Sequence, residues 1–128
     1  MELVAIVIGL AVVQYFYLTA RTGMVRGRTG VPAPAMVGNP EFDRQFRVQY
    51  NTIEQLIIFF PSMVLFGSYA SEPVAAGLGL VFILGRGLYA RGYRIDPSKR
   101  GPGFGLTLLA NSVLLLGGLA GAVASYVR

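Results

Sequence analysis

The sequence predicts an all-α integral membrane protein, a single domain of four membrane-spanning helices over residues 1–128. Of the 128 residues, 54% are hydrophobic and only 13% are charged, whereas a soluble domain carries about a quarter charged residues. The hydrophobic residues fall into four blocks, at residues 3–20, 56–70, 74–89 and 104–127. A membrane-spanning helix needs about 20 mostly apolar residues, so the two middle blocks reach that length only with polar residues at one end.

The first helix is predicted over residues 2–20 and is followed by a predicted loop. Its apolar run starts after the acidic Glu2 and ends before Arg21, the first basic residue of the chain. A secretory signal carries its basic residues in front of the apolar run, so we expect a helix that is retained. From Arg21 to about Glu41 the sequence is rich in Gly, Pro and Thr, which indicates a loop.

The other three helices are predicted, in chain order, over residues 40–70, 73–94 and 103–127. The second begins at a typical N-terminal signal, with Asn39 as the N-cap, Pro40 in the first helical position, and Glu41 and Asp43 in the first turn. It therefore starts outside the hydrocarbon and carries polar residues into it. The fourth is rich in Gly and Ala over residues 117–124, and small residues let membrane helices pack closely.

Basic residues predict the orientation in the membrane. Nine of the eleven arginines and lysines lie in the connection between the first and second helices, in the connection between the third and fourth, or on the helix ends next to them, whereas the short turn at residues 71–73 holds none. By the positive-inside rule, both long basic segments face the cytoplasm and both termini face the opposite side. The net charge of +5 then reflects membrane topology, and we expect membrane lipids but no nucleic acid among the partners.

The chain contains no cysteine and no histidine, which excludes several kinds of site. It has no disulfide, no thiolate nucleophile of its own and no Cys or His ligand for a metal ion, so we expect no metal site. Any thiol chemistry would need a thiol that arrives with a ligand.

Polar residues recur on one face of the second helix as it enters its apolar block. Arg44, Arg47, Asn51 and Glu54 follow steps of three, four and three residues, which keep to one face of a helix. Lipid cannot satisfy such polar groups, so this face should point into the bundle or into a cavity.

The third helix carries a matching face with Arg86, Tyr89 and Tyr93. Together the two faces suit a small ligand with more than one carboxylate, because arginine binds carboxylates with a planar fork. Glu54 would then take an ammonium group. The simpler alternative is structural: arginines near helix ends commonly anchor a span at the interface, and Glu54 would pair with Arg47 or Arg86. Spacing alone leaves both interpretations open.

Two segments resemble the MAPEG superfamily, the membrane-associated proteins of eicosanoid and glutathione metabolism. GNPEFDRQFRVQYNTIEQLIIFFP, residues 38–61, is similar to its signature region, whose pattern is close to PEFxRxxRxQxNxxE before an apolar run. GRGLYARGYR, residues 85–94, is similar to the end of its third helix, where an arginine precedes two tyrosines four residues apart. The chain most resembles the branch of microsomal glutathione transferases and leukotriene-forming glutathione conjugases.

This resemblance implies a homotrimer of four-helix subunits that binds glutathione between adjacent subunits, near the cytoplasmic side. It implies glutathione contacts for Arg47, Asn51, Glu54, Tyr89, Tyr93, Gln49 and Arg21. The thiol-activating arginine of the family matches Arg100, and an arginine lowers the pKa of a thiol by stabilising the thiolate. The sequence departs from the family pattern at Gln55, where relatives often have Tyr, and in the Gly- and Pro-rich KRGPGFG around Arg100.

The activity that the resemblance implies is that of a glutathione transferase, with or without glutathione peroxidase activity. Its second substrate would be an apolar electrophile dissolved in the membrane, as in detoxification. A first alternative is a non-catalytic member of the same family that binds lipid. A second is a small multidrug-type transporter, although the first helix offers only Gln14 where such transporters usually carry a carboxylate.

Overall fold

The computed structural model describes residues 1–128 and contains four long α-helices and one 3₁₀ helix. These are α1 at Glu2–Thr29, α2 at Pro40–Tyr69, α3 at Glu72–Ile95, the 3₁₀ helix at Pro97–Arg100 and α4 at Gly101–Val127. By length and composition, the chain has four candidate membrane spans, and they correspond to these long helices. The prediction of an all-helical protein with four spans is therefore confirmed.

The first helix extends farther than the sequence predicts. α1 continues through the arginine-rich segment to Thr29 and ends at Gly30, which has a φ of 77° and donates its N–H to the carbonyl of Arg26. The expectation of a loop from Arg21 is therefore wrong for residues 21–29. Packing explains the difference, because Val25 is buried in one cluster with Phe42 of α2, and tertiary contacts override the low helix propensity of glycine.

The start of the second helix is where the sequence predicts it. The side-chain oxygen of Asn39 accepts hydrogen bonds from the backbone N–H groups of Glu41 at 2.9 Å and Phe42 at 3.3 Å, and Pro40 is the first helical residue. α2 then runs without interruption for 30 residues. At 1.5 Å per residue it is about 45 Å long, so its polar first turns extend beyond a hydrocarbon core of about 30 Å.

An apolar core joins the four helices in the middle of the bundle. It includes Val7 of α1, Phe59 and Met63 of α2, Phe82 of α3 and Leu114 of α4. The rings of Phe59 and Phe82 stack with their centroids 4.0 Å apart. Close packing of this kind, rather than exclusion of water, holds helices together in lipid, and it fixes how the polar ends of α2, α3 and α4 meet.

A tight return connects α3 to α4 and sets the position of Arg100. Asp96 ends α3, and its carboxylate accepts a hydrogen bond from the backbone N–H of Ser98 at 3.0 Å. This bond holds the pKa of the Asp96 carboxyl below its usual range. A Cβ atom on Gly92 would collide with the carbonyl of Lys99, so a glycine at this position lets the 3₁₀ helix fold back against α3.

Candidate functional site

A cavity of about 790 Å³ opens at the basic end of the bundle, where α2, α3, the 3₁₀ helix and α4 meet. We call it the first cavity. Its lining residues are Arg47, Asn51, Tyr89, Tyr93, Ser98, Arg100, Gly101 and Phe104. Of the eight residues proposed for the site from the sequence, the structure thus brings five together: Arg47, Asn51, Tyr89, Tyr93 and Arg100.

The lining of the first cavity is basic and aromatic. It contains two arginines, Arg47 and Arg100, and no carboxylate, and neither arginine forms a salt bridge within the chain. Tyr89 is buried, and its ring centroid lies 5.6 Å from that of Tyr93 and 6.5 Å from that of Phe104. The cavity therefore offers charged and phenolic donors beside an aromatic wall, an arrangement that suits carboxylate groups.

Arg86 lies directly behind the first cavity and is completely buried. Its Nη1 atom donates to Asn51 Oδ1 at 2.7 Å and to Thr52 Oγ1 at 3.3 Å, and its Nε atom donates to Thr107 Oγ1 at 2.9 Å. The guanidinium also lies over the Tyr89 ring, 4.3 Å from its centroid. No carboxylate pairs with it, and its Nη2 atom has no hydrogen-bond partner.

The contact with Arg86 determines what Asn51 presents to the first cavity. A guanidinium has only donors, so the atom of the Asn51 amide that faces it must be the oxygen. This assignment removes the usual ambiguity between the O and N atoms of an amide. Asn51 lines the cavity, and its amide nitrogen is left free to donate to a ligand there. A ligand group bound by that nitrogen would be an acceptor.

The structure places the other three residues, Glu54, Gln49 and Arg21, outside the first cavity. Glu54 lies one turn beyond Asn51 on α2 and is exposed, and it forms no salt bridge with Arg47 or Arg86. The expected structural pairing of Glu54 is therefore absent from the single chain. Gln49 is half-buried on α2, and Arg21 lies in a separate cavity between α1, α2 and α3.

Several polar residues near the site were missed by the reasoning from sequence. Thr52 and Thr107 are buried partners of Arg86, and Ser98 lines the first cavity. Gln55, noted only as a departure from the family pattern, accepts a hydrogen bond from Asn111 of α4 at 3.2 Å. A usable signal was present, because a polar side chain inside an apolar helix normally has a partner within the bundle.

No group of three or more His, Cys, Asp or Glu side chains in the chain is arranged to hold a metal ion. The lining of the first cavity offers its arginines, its tyrosines and Asn51 for chemistry. These groups can bind an anionic ligand through its acceptor atoms, and a guanidinium beside a thiol can stabilise the thiolate.

Comparison with known proteins points to one protein family. The sequence profile of the MAPEG family matches residues 4–120. The chain is 38% identical over 125 residues to microsomal glutathione S-transferase 2 of Homo sapiens, covering 98% of this chain and 85% of that protein. It is 33% identical over 101 residues to leukotriene C4 synthase of Rattus norvegicus, covering 74% of this chain and 67% of that protein.

A bacterial protein is also similar. An uncharacterized protein of Synechocystis is 44% identical over 115 residues, covering 90% of this chain and 84% of that protein. Because the family profile covers nearly the whole chain and the human transferase aligns over almost all of it, the resemblance seen in the two sequence motifs is confirmed. The chain belongs to the MAPEG family.

Proposed function

We propose that this protein is a membrane-bound glutathione transferase that activates the thiol of glutathione for attack on apolar electrophiles dissolved in the membrane. The observation that carries the proposal is the first cavity, which unites Arg47, Asn51, Tyr89, Tyr93 and Arg100. The membership of the MAPEG family supports it, because the relatives include a glutathione S-transferase and a leukotriene C4 synthase.

Glutathione has two carboxylates, one ammonium group and one thiol, and the donors of the first cavity match its acceptors. Arg47 would bind a carboxylate with its planar fork, and the amide nitrogen of Asn51 would donate to an oxygen of the same ligand. Tyr89 and Tyr93 would fix the orientation of the peptide. Glu54 would take the ammonium group, since it lies one helical turn beyond Asn51 and has no cationic partner.

Arg100 is the residue that we propose as the activator of the thiol. Its guanidinium would stabilise the thiolate, so the pKa of the thiol falls and its proton passes to water. The thiolate then forms a bond to an electrophilic carbon, and that carbon's leaving group departs with the bonding electrons. With a peroxide, the thiolate would attack one oxygen instead, the O–O bond would break, and the other oxygen would leave and take up a proton as an alcohol. The thiol of a second glutathione would then displace the hydroxyl of the resulting sulfenic acid as water and form a disulfide with the first.

The assembly and the orientation form part of the proposal. We propose a homotrimer with the basic segments in the cytoplasm and the termini on the opposite side. The cavity then faces a solution that supplies glutathione, while the exposed apolar surface of the helices meets the lipid that supplies the electrophile. The cavity contains no acidic lining residue, which favours a site that an adjacent subunit completes.

A non-catalytic lipid-binding role is the second candidate. It is favoured by a groove of about 220 Å³ between α1 and α2 whose lining is entirely apolar: Val12, Tyr15, Ile53, Leu56, Ile57 and Phe60. No comparable observation supports the transporter alternative. The amide nitrogen of Gln14, the polar group of the first helix, already donates a hydrogen bond to the carbonyl of Ile83 at 2.9 Å.

The test is the ultraviolet absorbance of the thiolate when glutathione is mixed with the detergent-purified protein. We expect a signal in the wild type that is lost in Arg100→Ala. Arg91→Ala is the matched control, because Arg91 is exposed, lies near the same end of the bundle and lines neither the first cavity nor the separate cavity that contains Arg21. Glutathione binding without any thiolate signal would favour the lipid-binding role, and an equal loss in both variants would exclude a specific role for Arg100.

A further inference from the structure

A pair of amide side chains joins α2 to α4 within the membrane span. The Nδ2 atom of Asn111 donates to the side-chain oxygen of Gln55 at 3.2 Å and to the backbone carbonyl of Gln55 at 3.3 Å. Asn111 is buried, whereas Gln55 is half-buried. Lipid offers no hydrogen-bond partner, so an amide inside a span pairs with another helix or with a bound molecule.

The backbone carbonyl of Gln55 determines how both amides are oriented. A carbonyl oxygen only accepts hydrogen bonds, so the Asn111 atom that faces it must be the amide nitrogen. The side-chain atom of Gln55 that faces the same nitrogen must then be its oxygen. The Nε2 atom of Gln55 is left as a donor that makes no hydrogen bond within the chain, and it is not one of the unpaired polar atoms that the bundle buries. It is therefore an accessible donor.

The Gln55–Asn111 pair lies deeper in the membrane than the first cavity. Gln55 follows Asn51 by four residues and Asn111 follows Phe104 by seven, and both spacings keep to one face of a helix. Asn51 and Phe104 line the first cavity. At 1.5 Å per residue, the pair is about 6–10 Å farther along these helices. The free donor of Gln55 is therefore on the hydrocarbon side of the first cavity.

The surroundings of this donor are apolar. On α2, Gln55 directly precedes the run LIIFF at residues 56–60, and on α4 two leucines and an alanine precede Asn111. An amide N–H without a partner is costly in such surroundings, and a hydrogen bond made there is stronger than the same bond in water. A molecule that reaches Gln55 through the hydrocarbon gains most if it brings an acceptor atom of its own.

We propose that Gln55 is a specificity-determining residue for the second substrate, with its Nε2 atom bound to an oxygen of the electrophile and with Asn111 as the positioning residue behind it. This inference rests on the proposed transferase function. The substrate class that fits is an apolar α,β-unsaturated aldehyde or ketone, because its carbonyl oxygen is conjugated with the electrophilic carbon. Asn111 has only 4% of its surface exposed, so it acts through Gln55.

The reaction with such a substrate makes use of this donor. The thiolate of glutathione would form a bond to the β-carbon, and the electron pair of the C=C bond would move so that the carbonyl oxygen becomes negative. The α-carbon of this enolate would then take up a proton from water. A donor aimed at an oxygen that becomes negative stabilises the transition state more than the ground state. An alkyl iodide has no oxygen that could accept this bond.

The first test measures binding, so it does not depend on turnover. 2-Undecanone and undecane have the same number of carbon atoms, and neither reacts with a thiol. Their apparent dissociation constants follow from the rise in the unfolding temperature of the detergent-purified protein with ligand concentration. We expect the wild type to bind the ketone about threefold to tenfold more tightly than the alkane. Gln55→Met should bind the two equally, because methionine is of similar size but has no donor.

Ser62→Ala is the matched control for this test. Ser62 is buried on the same helix, and its hydroxyl has no hydrogen-bond partner, so its removal should leave the preference for the ketone unchanged. Asn111→Leu should reduce the preference, because the amide of Gln55 loses the bond that orients it. Equal binding of ketone and alkane by the wild type, an unchanged preference in Gln55→Met or Asn111→Leu, or an equal loss in Ser62→Ala would overturn the proposal.

The second test separates this inference from the proposed function. It compares kcat/KM with glutathione for trans-2-nonenal and 1-iodononane, which have nine carbon atoms each. Gln55→Met should lower the value for the aldehyde by about threefold to tenfold and leave the value for the iodide unchanged, whereas an equal fall for both would overturn the proposal. A ketone preference in a wild type that turns over neither compound would contradict the transferase function alone. Turnover of both compounds without a ketone preference would contradict only this inference.

Discussion

Arg86 of α3 donates a hydrogen bond of 2.7 Å to the side-chain oxygen of Asn51 on α2, and this contact joins a completely buried cation to the lining of the first cavity. Since the oxygen of Asn51 faces Arg86, the amide nitrogen is the group left to donate to a ligand in the cavity. A buried cation with no carboxylate partner therefore helps to select an acceptor-rich ligand.

The first prediction concerns Asn51→Asp. A carboxylate at this position would pair with Arg86, so we expect the unfolding temperature to stay the same or to rise. It would also replace a donor by an acceptor and add a negative charge that repels an anionic ligand, so glutathione binding should weaken by about tenfold or more. Calorimetric titration of glutathione into the purified protein measures this change.

Asn51→Ala is the comparison for that prediction, because it removes the donor without adding a charge. Its loss of glutathione binding should be smaller than that of Asn51→Asp. If the aspartate variant bound glutathione as tightly as the wild type, the proposed donor role of Asn51 would be excluded.

The second prediction compares Arg86→Met with Arg86→Ala. Methionine fills the space of the arginine and removes a buried charge that lacks a carboxylate, an exchange that is often neutral for stability. Thr52 and Thr107 keep their own bonds to the carbonyls of Val48 and Gly103. Alanine leaves a cavity instead and should destabilise the protein by about 3 kcal/mol. Thermal unfolding in detergent measures the difference between the two variants.

Arg86→Met should nevertheless bind glutathione more weakly than the wild type. Without the hydrogen bond from Arg86, the side-chain amide of Asn51 is free to rotate so that its oxygen and nitrogen exchange positions. A folded methionine variant with unchanged glutathione affinity would show that Arg86 has no positioning role. Equal destabilisation by methionine and alanine would instead show that the charge of Arg86 is required for folding.

The sequence predicts which residues share a face better than it predicts how far along the helix a cavity reaches. Helical spacing placed Arg47, Asn51 and Glu54 on one side of α2, and the structure brings Arg47 and Asn51 together in the first cavity. Glu54 lies seven residues after Arg47, about 10 Å farther along the axis, and outside that lining. The spacing of residues along the sequence predicts the side of the helix on which they lie. How far along that side a cavity extends depends on which neighbouring helices close it.

Contacts between residues far apart in the sequence account for the other differences between the predicted and the observed structure. The extension of α1 to Thr29 depends on the packing of Val25 against Phe42, which are 17 residues apart in the printed sequence. The spacing on α3 grouped Arg86 with Tyr89 and Tyr93, yet Arg86 is covered by α4 through Thr107. Local signals such as the Asn39 cap are contained within a few residues, so they were predicted correctly.

The third prediction concerns pH and the turn that carries Arg100. The hydrogen bond from the Ser98 backbone lowers the pKa of Asp96 below its usual value, so the folded turn favours the ionised carboxylate. Its contribution is present above the ordinary carboxyl pKa of about 3.9 and is lost as the pH falls through the lower folded pKa. The amide hydrogen-exchange protection factors of residues 98–100 should therefore not change from pH 8 down to about 5.

Asp96→Ala should remove part of that protection throughout the same pH range, and the thiolate signal that we assign to Arg100 should decrease with it. Asp43→Ala serves as the control, because Asp43 accepts its hydrogen bond from Gly38 at the start of α2 rather than in this turn. Unchanged exchange at Ser98 in Asp96→Ala would refute the role of the Asp96 cap.

The fourth prediction tests the close approach of α3 and α4 beside the first cavity. A Cβ atom on Gly103 would lie 2.5 Å from the Cα of Tyr89 and 2.7 Å from the carbonyl oxygen of Gly85. Both neighbours are backbone atoms, so Gly103→Ala must push the two helices apart. We expect a loss of about 1–3 kcal/mol in stability, together with weaker glutathione binding because Tyr89 lines the cavity.

Gly105→Ala provides a matched control two residues along the same helix. A Cβ atom on Gly105 would meet no atom within 4 Å, and alanine favours the helix over glycine by up to about 1 kcal/mol. The control should therefore be as stable as the wild type or more stable, with unchanged glutathione binding. The two substitutions add the same methyl group to the same helix, so opposite effects on the unfolding temperature would isolate the contact with Tyr89. Equal effects would show that the spacing between α3 and α4 is not fixed by Gly103.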